Sequence, residues 1–235
     1  MTASDNGLLP QNAFELHIHT SEVSSCADAD AATSVRRCVA LGYAGMVVTD
    51  HISFDRAERK GIAHLPWKEQ CAFWFRGYHA AKAAAPAGFV VLPGGEFSFP
   101  GCVNDYLVYG MEEDFLLRHK ALKQCSFLQF CEIVQEAGLL LAQAHPFRFG
   151  TEVLHPDFLE AIEVYNGNSH HESNNAIAEA WARRWSLLPL SGSDWHGGDT
   201  GVGRLPGGVA FHSAVRDAHE MLRALRAKEY TLLKE

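Results

Sequence analysis

Short apolar runs separated by longer amphipathic stretches dominate the hydrophobic pattern of the chain. Seven runs of five to seven residues, rich in Val, Ile and Leu, are predicted as strands at 13–19, 44–49, 89–93, 105–109, 138–144, 161–165 and 187–191. Runs of this length and composition are typical of strands buried on both faces of a parallel sheet. The stretches between them predict helices at 31–41, 67–85, 127–137, 173–185 and 213–228.

This alternation of strands and helices predicts the fold class. About seven strand–helix units indicate an α/β protein with a parallel sheet. The length of 235 residues is close to the ~250 residues of a closed (β/α) barrel. Because no linker-like segment divides the chain, we expect one barrel domain over residues 1–235.

Charge and composition narrow the function classes. The chain has 20 Lys plus Arg against 28 Asp plus Glu, a net charge of −8, and no long basic run, which argues against binding duplex DNA or a membrane surface. It has no apolar run near the ~18 residues of a membrane span and no secretion signal at its amino terminus. Six scattered Cys without a Cys-x-x-Cys pair exclude a zinc ribbon and disfavour a disulfide framework. We therefore expect a reduced, cytoplasmic protein.

Thirteen His stand out in this composition, and several lie where predicted strands end. His17 and His19 are two apart on the first strand, so their side chains project from the same face. Four other predicted strands end in or just before His51, Glu96, His145, and the pair Asp194 and His196. The carboxyl ends of parallel barrel strands share one rim, where catalytic groups collect. Each of these residues alone is equally well explained as a hydrogen-bonded polar group at a strand end, but all five strand ends together favour a site.

The number of candidate ligands indicates more than one metal ion. Five His and two carboxylates exceed what a single tetrahedral zinc can bind. The pattern therefore predicts a cluster of two or three ions.

Six motifs in this order resemble the PHP (polymerase and histidinol phosphatase) superfamily of metal-dependent phosphoesterases. The matching segments are 15–20, 49–51, 95–98, 144–148, 163–167 and 192–196. The resemblance implies a distorted (β/α)7 TIM-like barrel, a polynuclear metal site at the carboxyl rim of the strands, and a stand-alone enzyme without polymerase-like extensions.

The resemblance also implies roles for individual residues. One ion would be held by His17, His19, Glu96 and Asp194. Glu96, as a bridging carboxylate, and His145 would hold a second ion, and His51 and His196 a third. The ions would be zinc, manganese or iron, and the residues that we expect to be catalytic are Glu96, Asp194 and His196.

Two positions depart from the family pattern. Where an Asp or His is usual after the first motif, Cys26 occupies the ligand position, and a thiolate there would favour zinc or iron over magnesium. An equally weighted alternative is that Cys26 is a small buried residue and Asp28 is the ligand or a helix cap. After the fourth strand, where some members have a further His, either Glu112 substitutes for it or the second metal site is under-coordinated.

The expected chemistry is hydrolysis by metal-activated water, because a metal ion lowers the pKa of water to about 7. Arg148 and Arg204 are the candidate cations for the phosphoryl oxygens of a small phosphorylated metabolite or nucleotide. His170 or His171 could protonate the leaving oxygen, although solvated loop residues are the plainer interpretation. Asp50 is expected to orient a ligand imidazole.

Two other functions stay open. Amidohydrolases also begin a barrel with His-x-His and end it with Asp, but they usually add a bridging Lys at the fourth strand, and none follows this one. A metal-binding regulatory barrel without turnover is the third interpretation, which the unusual positions Cys26 and Glu112 keep open.

Overall fold

The computed structural model describes residues 9–198 and 207–234. Within these ranges the strands are β1 (Ala13–Ile18), β2 (Gly45–Val48), β3 (His51–Ile52), β4 (Val90–Ser98), β5 (Asp105–Tyr109), β6 (Leu140–Gln143), β7 (Ala161–Asn166), β8 (Leu188–Gly192), β9 (Val209–Phe211) and β10 (Tyr230–Leu232). The α-helices are α1 (Ala31–Leu41), α2 (Trp67–Trp74), α3 (Arg76–Ala84), α4 (Glu113–Arg118), α5 (Phe127–Glu136), α6 (Asn175–Trp185) and α7 (Ala218–Arg226). None of these helices has both the length and the apolar composition needed to cross a membrane.

The strands form one sheet that curls into a nearly closed barrel. Their order is β10-β9-β1-β2-β4-β5-β6-β7-β8, and β3 pairs with β4. The segment that follows β8 returns to β1, where Asp194 N donates to His17 O (2.8 Å) and His19 N donates to Trp195 O (3.0 Å). The barrel predicted from the sequence is therefore confirmed, with the residues after β8 closing it at the rim.

Two strands run against the prediction of an all-parallel sheet: β9, which is antiparallel to β1 and β10, and β5. β5 is antiparallel to both neighbours, with Ser98 opposite Asp105 and Gly94 opposite Tyr109. The reason is the connection from β4 to β5, which spans only residues 99–104, whereas a parallel crossover needs a dozen or more residues. As a result, β5 begins at the rim where its parallel neighbours end.

The helices agree with the sequence pattern in part. α1 has the predicted bounds. The side chain of Asp30 caps its first turn by accepting a hydrogen bond from Thr33 N. The helix ends at Gly42 in the left-handed conformation (φ 89°), which is common for glycines at helix ends. The predicted helix at 67–85 is two helices that meet at Phe75, and the last helix begins only after the Asp217 cap. The pattern did not predict α4, which is only six residues long.

The barrel interior is apolar at one end and polar at the other. Side chains of β1, β2, β4, β5, β6 and β8 pack against the buried face of α7, which contributes Met221, Leu222 and Leu225. Gly110, directly after β5, lies against Leu222, so α7 covers the end where β5 finishes. The opposite end, where most strands finish, is left for the polar side chains.

Candidate metal centre

The structure brings the seven predicted His and carboxylate residues together at the polar rim. Within residues 9–198 and 207–234, three groups of side chains have donor atoms close enough to share a cation. The first donor group consists of His17, His19 and Glu96, with Asp194 beside them; all four are buried. His17 Nε2 lies 3.1 Å from His19 Nε2, 3.4 Å from Glu96 Oε1 and 3.4 Å from Asp194 Oδ1.

The spacing and chemistry of the first donor group fit a metal ion. A tetrahedral zinc site with bonds of about 2.0–2.1 Å places its ligand atoms about 3.3–3.4 Å apart. His19 Nε2 also lies 3.4 Å from Glu96 Oε2 and 3.3 Å from Asp194 Oδ1. The Nδ1 atoms of both His have partners elsewhere, so the two Nε2 atoms face each other and carboxylate oxygens, and as neutral imidazoles they would present lone pairs there. Such a concentration of buried acceptors requires a cation for balance.

Second partners fix the imidazoles in this orientation. His17 Nδ1 lies 2.8 Å from Glu163 Oε1, and His19 Nδ1 lies 3.3 Å from Ser24 Oγ. Ser24 Oγ in turn donates to Asp50 Oδ1 at 2.7 Å. Asp50 therefore reaches His19 through Ser24 rather than by a direct contact. Such carboxylate–imidazole pairs orient metal-binding His in proteins, and the sequence analysis assigned no role to Glu163.

Protonation differs between the two imidazoles of the first donor group. Burial opposes protonation of His17, yet Glu163, Asp194 and Glu96 raise its pKa well above the usual range, so a cation at its Nε2 would replace a proton. Burial and the neighbouring His51 lower the pKa of His19 to about 3, so its imidazole is neutral near pH 7, the form that binds metals. Burial opposes ionisation of Asp194, yet His17 and His19 hold the pKa of this carboxyl well below its usual range.

Glu96 lies between two halves of the site. Its Oε1 is 3.2 Å from His145 Nε2, whereas its Oε2 is 2.9 Å from His51 Nδ1. Oε2 is buried, and besides His51 Nδ1 it has His19 Nε2 at 3.4 Å. Burial opposes ionisation, but the His17 and His51 imidazoles hold the pKa of this carboxyl well below its usual range. A buried carboxylate with one oxygen on each side is suited to bridge two cations.

The sequence analysis missed one residue of the second donor group, which consists of Glu96, Asp105 and His145. Asp105 Oδ2 lies 3.9 Å from His145 Nε2. Asp105 is at the rim because β5 is antiparallel and begins there. The short connection between Ser98 and Asp105 was the signal in the sequence that could have revealed it.

The same strand direction makes the expectation for Glu112 wrong. Glu112 follows the end of β5 and precedes α4. It lines a surface cavity with Tyr78, Lys82 and Arg216, at the end of the barrel opposite to the rim. It therefore cannot complete the second donor group.

The third donor group consists of His19, His51 and His196, and Cys26 lies beside it. The Cys26 thiol forms hydrogen bonds to His196 and His51. Burial opposes ionisation of the thiol, but these two contacts lower the pKa of Cys26 to about 6. Asp28 is exposed and Asp30 caps α1, so Asp28 is not the helix cap.

Two of the predicted ligands have unusual backbone conformations. Asp194 has φ 51° and His145 has φ 29°, a region that non-glycine residues rarely occupy. Asp194 is held there by its backbone hydrogen bond to His17 O, and His145 N donates to Glu163 Oε2 at 2.8 Å. Positive φ values at such positions are typical of functional sites.

Arg148 lies at the rim but is already engaged. Its Nη2 donates to Asp194 Oδ2 (2.7 Å) and to Asn166 Oδ1 (3.0 Å). Its Nε is buried without a hydrogen-bond partner in the part of the chain that the structure covers. Arg148 therefore holds Asp194 in place and has a further donor left. Arg204, the second predicted cation, lies outside the described residues.

A cavity of about 280 Å³ opens beside the third donor group. It is lined by Cys26, Asp194 and His196 from the site and by a loop that contains His170 and His171. Burial and the nearby Arg148 lower the pKa of His171. His170 and His171 therefore form part of the wall of this cavity, which Asp194 and His196 also line.

Comparison with known proteins supports the fold. No protein-family model and no curated protein matches the sequence. A two-domain protein from Bacteroides vulgatus ATCC 8482 that contains a predicted PHP-like metal-dependent phosphoesterase has a similar structure, with a TM-score of 0.70 and 14% identity over 95% of this chain. The chain spans 64% of the length of that protein.

Two other solved structures are similar. A protein from Bifidobacterium adolescentis ATCC 15703, assigned as a metal-dependent phosphoesterase, has a TM-score of 0.51 and 15% identity, over 92% of this chain and 96% of its own. An amidohydrolase from Chromobacterium violaceum, with bound sulfate and no metal, has a TM-score of 0.57 and 16% identity, over 94% of this chain and 98% of its own. The chain therefore has the fold of PHP-like metal-dependent phosphoesterases.

Proposed function

We propose that the protein hydrolyses phosphate esters at a centre of two or three divalent ions of zinc, manganese or iron. The ligands in this proposal are His17, His19, Cys26, His51, Glu96, Asp105, His145, Asp194 and His196. The observation that carries the proposal is the spacing of 3.1–3.4 Å among buried lone-pair donors in the first donor group. The ring nitrogens that face away from the centre have partners of their own, Glu163 Oε1 for His17 and Ser24 Oγ for His19, which leaves the Nε2 atoms free to bind ions.

Several residues of the chain would have separate roles at this centre. Bound ions lower the pKa of water to about 7 and supply positive charge opposite a phosphoryl group. Glu96 would hold both halves of the centre in register, and Asp194 and His196 would complete it on the cavity side. Arg148 would keep Asp194 in position through its Nη2, and its positive charge would attract a phosphoryl group. His171 would be the candidate to protonate the leaving oxygen.

The cavity favours a small substrate. At about 280 Å³ it is near the lower end of ligand pockets, about 300–1,000 Å³. It suits a small phosphorylated metabolite or a nucleotide better than a nucleic-acid duplex, as does the net charge of −8. Because an amidohydrolase has a similar fold, amides and lactones are included as control substrates. The bridging Lys that amidohydrolases usually have is missing at the end of β5, and this end of the strand faces away from the rim.

The test is a panel of phosphate monoesters, diesters and nucleotides, assayed with manganese, zinc and iron in turn. We expect phosphate release from at least one of them. His17→Ala should abolish it while the circular dichroism spectrum stays that of the wild type. His79→Ala, at an exposed His on α3, is the matched control and should keep full activity. Cleavage of amides or lactones alone would replace the proposal with an amidohydrolase. If no compound in the panel is hydrolysed, a metal-binding regulatory barrel becomes the favoured interpretation.

A second prediction concerns Glu163, the partner of His17. Its two carboxylate oxygens accept from His17 Nδ1, His145 N and Asn166 Nδ2, which are all donors. Glu163→Gln must turn its amide NH2 toward one of them, so His17 loses its fixed tautomer or His145 loses its acceptor. We expect metal affinity to fall about 10- to 100-fold, measured by titration of the metal-free protein.

The matched control is Glu132→Gln, an exposed residue of α5, which should bind metal as the wild type does. An unchanged dissociation constant in Glu163→Gln would show that this carboxylate does not orient His17 for a metal.

A further inference from the structure

The two sides of Glu96 offer different kinds of donor atoms. Oε1 faces His145 Nε2 (3.2 Å), on the side where Asp105 also lies. The second donor group therefore contains two carboxylates and one imidazole. Oxygen-rich sets of this kind suit hard cations such as manganese or magnesium.

On the other side, Oε2 faces His51 Nδ1 at 2.9 Å. The third donor group contains the imidazoles of His19, His51 and His196. The Cys26 thiol contacts His51 and His196 and lines the same cavity as His196, so this side offers nitrogen and sulfur donors. Glu96 Oε2 is buried and directed at this group, with His51 Nδ1 at 2.9 Å and His19 Nε2 at 3.4 Å, so a carboxylate oxygen stands beside these donors. Sulfur and imidazole donors select zinc-like ions over manganese and magnesium.

The fold keeps the two donor sets apart. Cys26 lies on the segment between β1 and α1, whereas Asp105 begins β5, on the other side of β4. Cys26 cannot reach the second donor group, and Asp105 cannot reach the third, unless a strand changes its position. Glu96 lies between the two sets, with Oε1 3.2 Å from His145 Nε2 and Oε2 2.9 Å from His51 Nδ1.

We infer that the metal centre is heteronuclear, with a zinc-like ion at Cys26, His51 and His196 and a harder, oxygen-preferring ion such as manganese at Glu96, Asp105 and His145. This inference rests on the metal centre proposed above and concerns which ion each side takes. It predicts that loading with zinc alone or with manganese alone does not give the same occupied centre as loading with both metals.

The test loads metal-free protein with equal amounts of zinc and manganese, then records anomalous diffraction at the absorption edge of each metal. We expect the zinc signal at the third donor group and the manganese signal at the second. Cys26→Asp should reduce the preference for zinc over manganese at the third group by at least about tenfold. Asp105→His should raise the zinc occupancy of the second group.

Cobalt binding gives a readout in solution. A thiolate bound to cobalt produces a near-ultraviolet charge-transfer band, which we expect in the wild type and in Cys102→Ser, a control at another exposed thiol. The band should be missing in Cys26→Asp. Equal zinc-to-manganese ratios on both sides, or a band that survives Cys26→Asp, would overturn the inference and leave the proposed function intact. Failure of the wild type to bind any ion would overturn both.

Discussion

Glu96→Gln is expected to reduce phosphate release at least about 1,000-fold, because this side chain serves both halves of the centre. Its carboxylate oxygens face His145 on one side and His51 on the other, at 3.2 and 2.9 Å. A Gln has the same shape but carries no charge, and its NH2 group would point at an imidazole or a cation on one side. Both bridging and charge balance are lost, whereas packing is kept.

The measurements for Glu96→Gln are the steady-state rate and the metal content of the purified variant. We expect the loss of at least one ion per chain together with the loss of rate, and a melting curve that stays cooperative. Glu136→Gln, at the exposed end of α5, should match the wild type in all three. A Glu96→Gln protein with more than a tenth of the rate and a full set of ions would show that Glu96 does not bridge.

Gly192→Ala is expected to misplace His17 and reduce the rate about 100-fold, the effect of a displacement near 1 Å at a reacting centre. Gly192 ends β8, where the strand passes β1. A Cβ atom at this position would lie 2.3 Å from His17 Cβ and 3.0 Å from Glu163 Oε1. The strands must separate to admit it, so we also expect overpacking to lower the free energy of unfolding by about 1–3 kcal/mol.

A control with a similar loss of stability separates the two effects. Gly138 has φ 71° and open space around its Cβ direction, at the end of α5. Gly138→Ala should lower the free energy of unfolding by about 1–2 kcal/mol through backbone strain and leave the rate unchanged. Denaturant titration and phosphate release measure both quantities in each variant. A wild-type rate in Gly192→Ala would show that the position of His17, where β8 passes β1, does not affect activity.

Much of the site could be predicted because its ligands follow strand ends. Apolar runs locate the strands, and a residue at the carboxyl end of a parallel strand lies at the rim whatever its neighbours are. This reasoning holds for His17, His51, Glu96 and Asp194, each from a different strand. It needs only the strand direction and not the three-dimensional contacts.

The same reasoning failed where a strand reversed. β5 has the length and apolar content of a parallel strand, so its pattern does not reveal its direction. Only the six-residue connection before Asp105 indicates the reversal. The apolar pattern by itself therefore predicts Glu112 at the rim and not Asp105, although the two residues lie toward opposite ends of the same strand.

Partners of the ligands were also beyond the sequence pattern. Glu163 lies inside β7 and Ser24 lies in a loop, and nothing in their local sequence indicates which imidazole they contact. These hydrogen bonds depend on how β7 and the β1–α1 segment pack around β1. Arg148 was expected to bind a phosphoryl group freely, but its Nη2 is engaged by Asp194, a contact between residues 46 positions apart.

The number of ions bound per chain tests the central claim most directly. Metal-free protein would be incubated with a zinc and manganese mixture, freed of loosely bound ions by dialysis, and submitted to elemental analysis. If remote His and carboxylate side chains converge on shared cations, two or three ions should remain per chain, and His17→Ala should retain fewer. Fewer than one ion per wild-type chain would contradict the account.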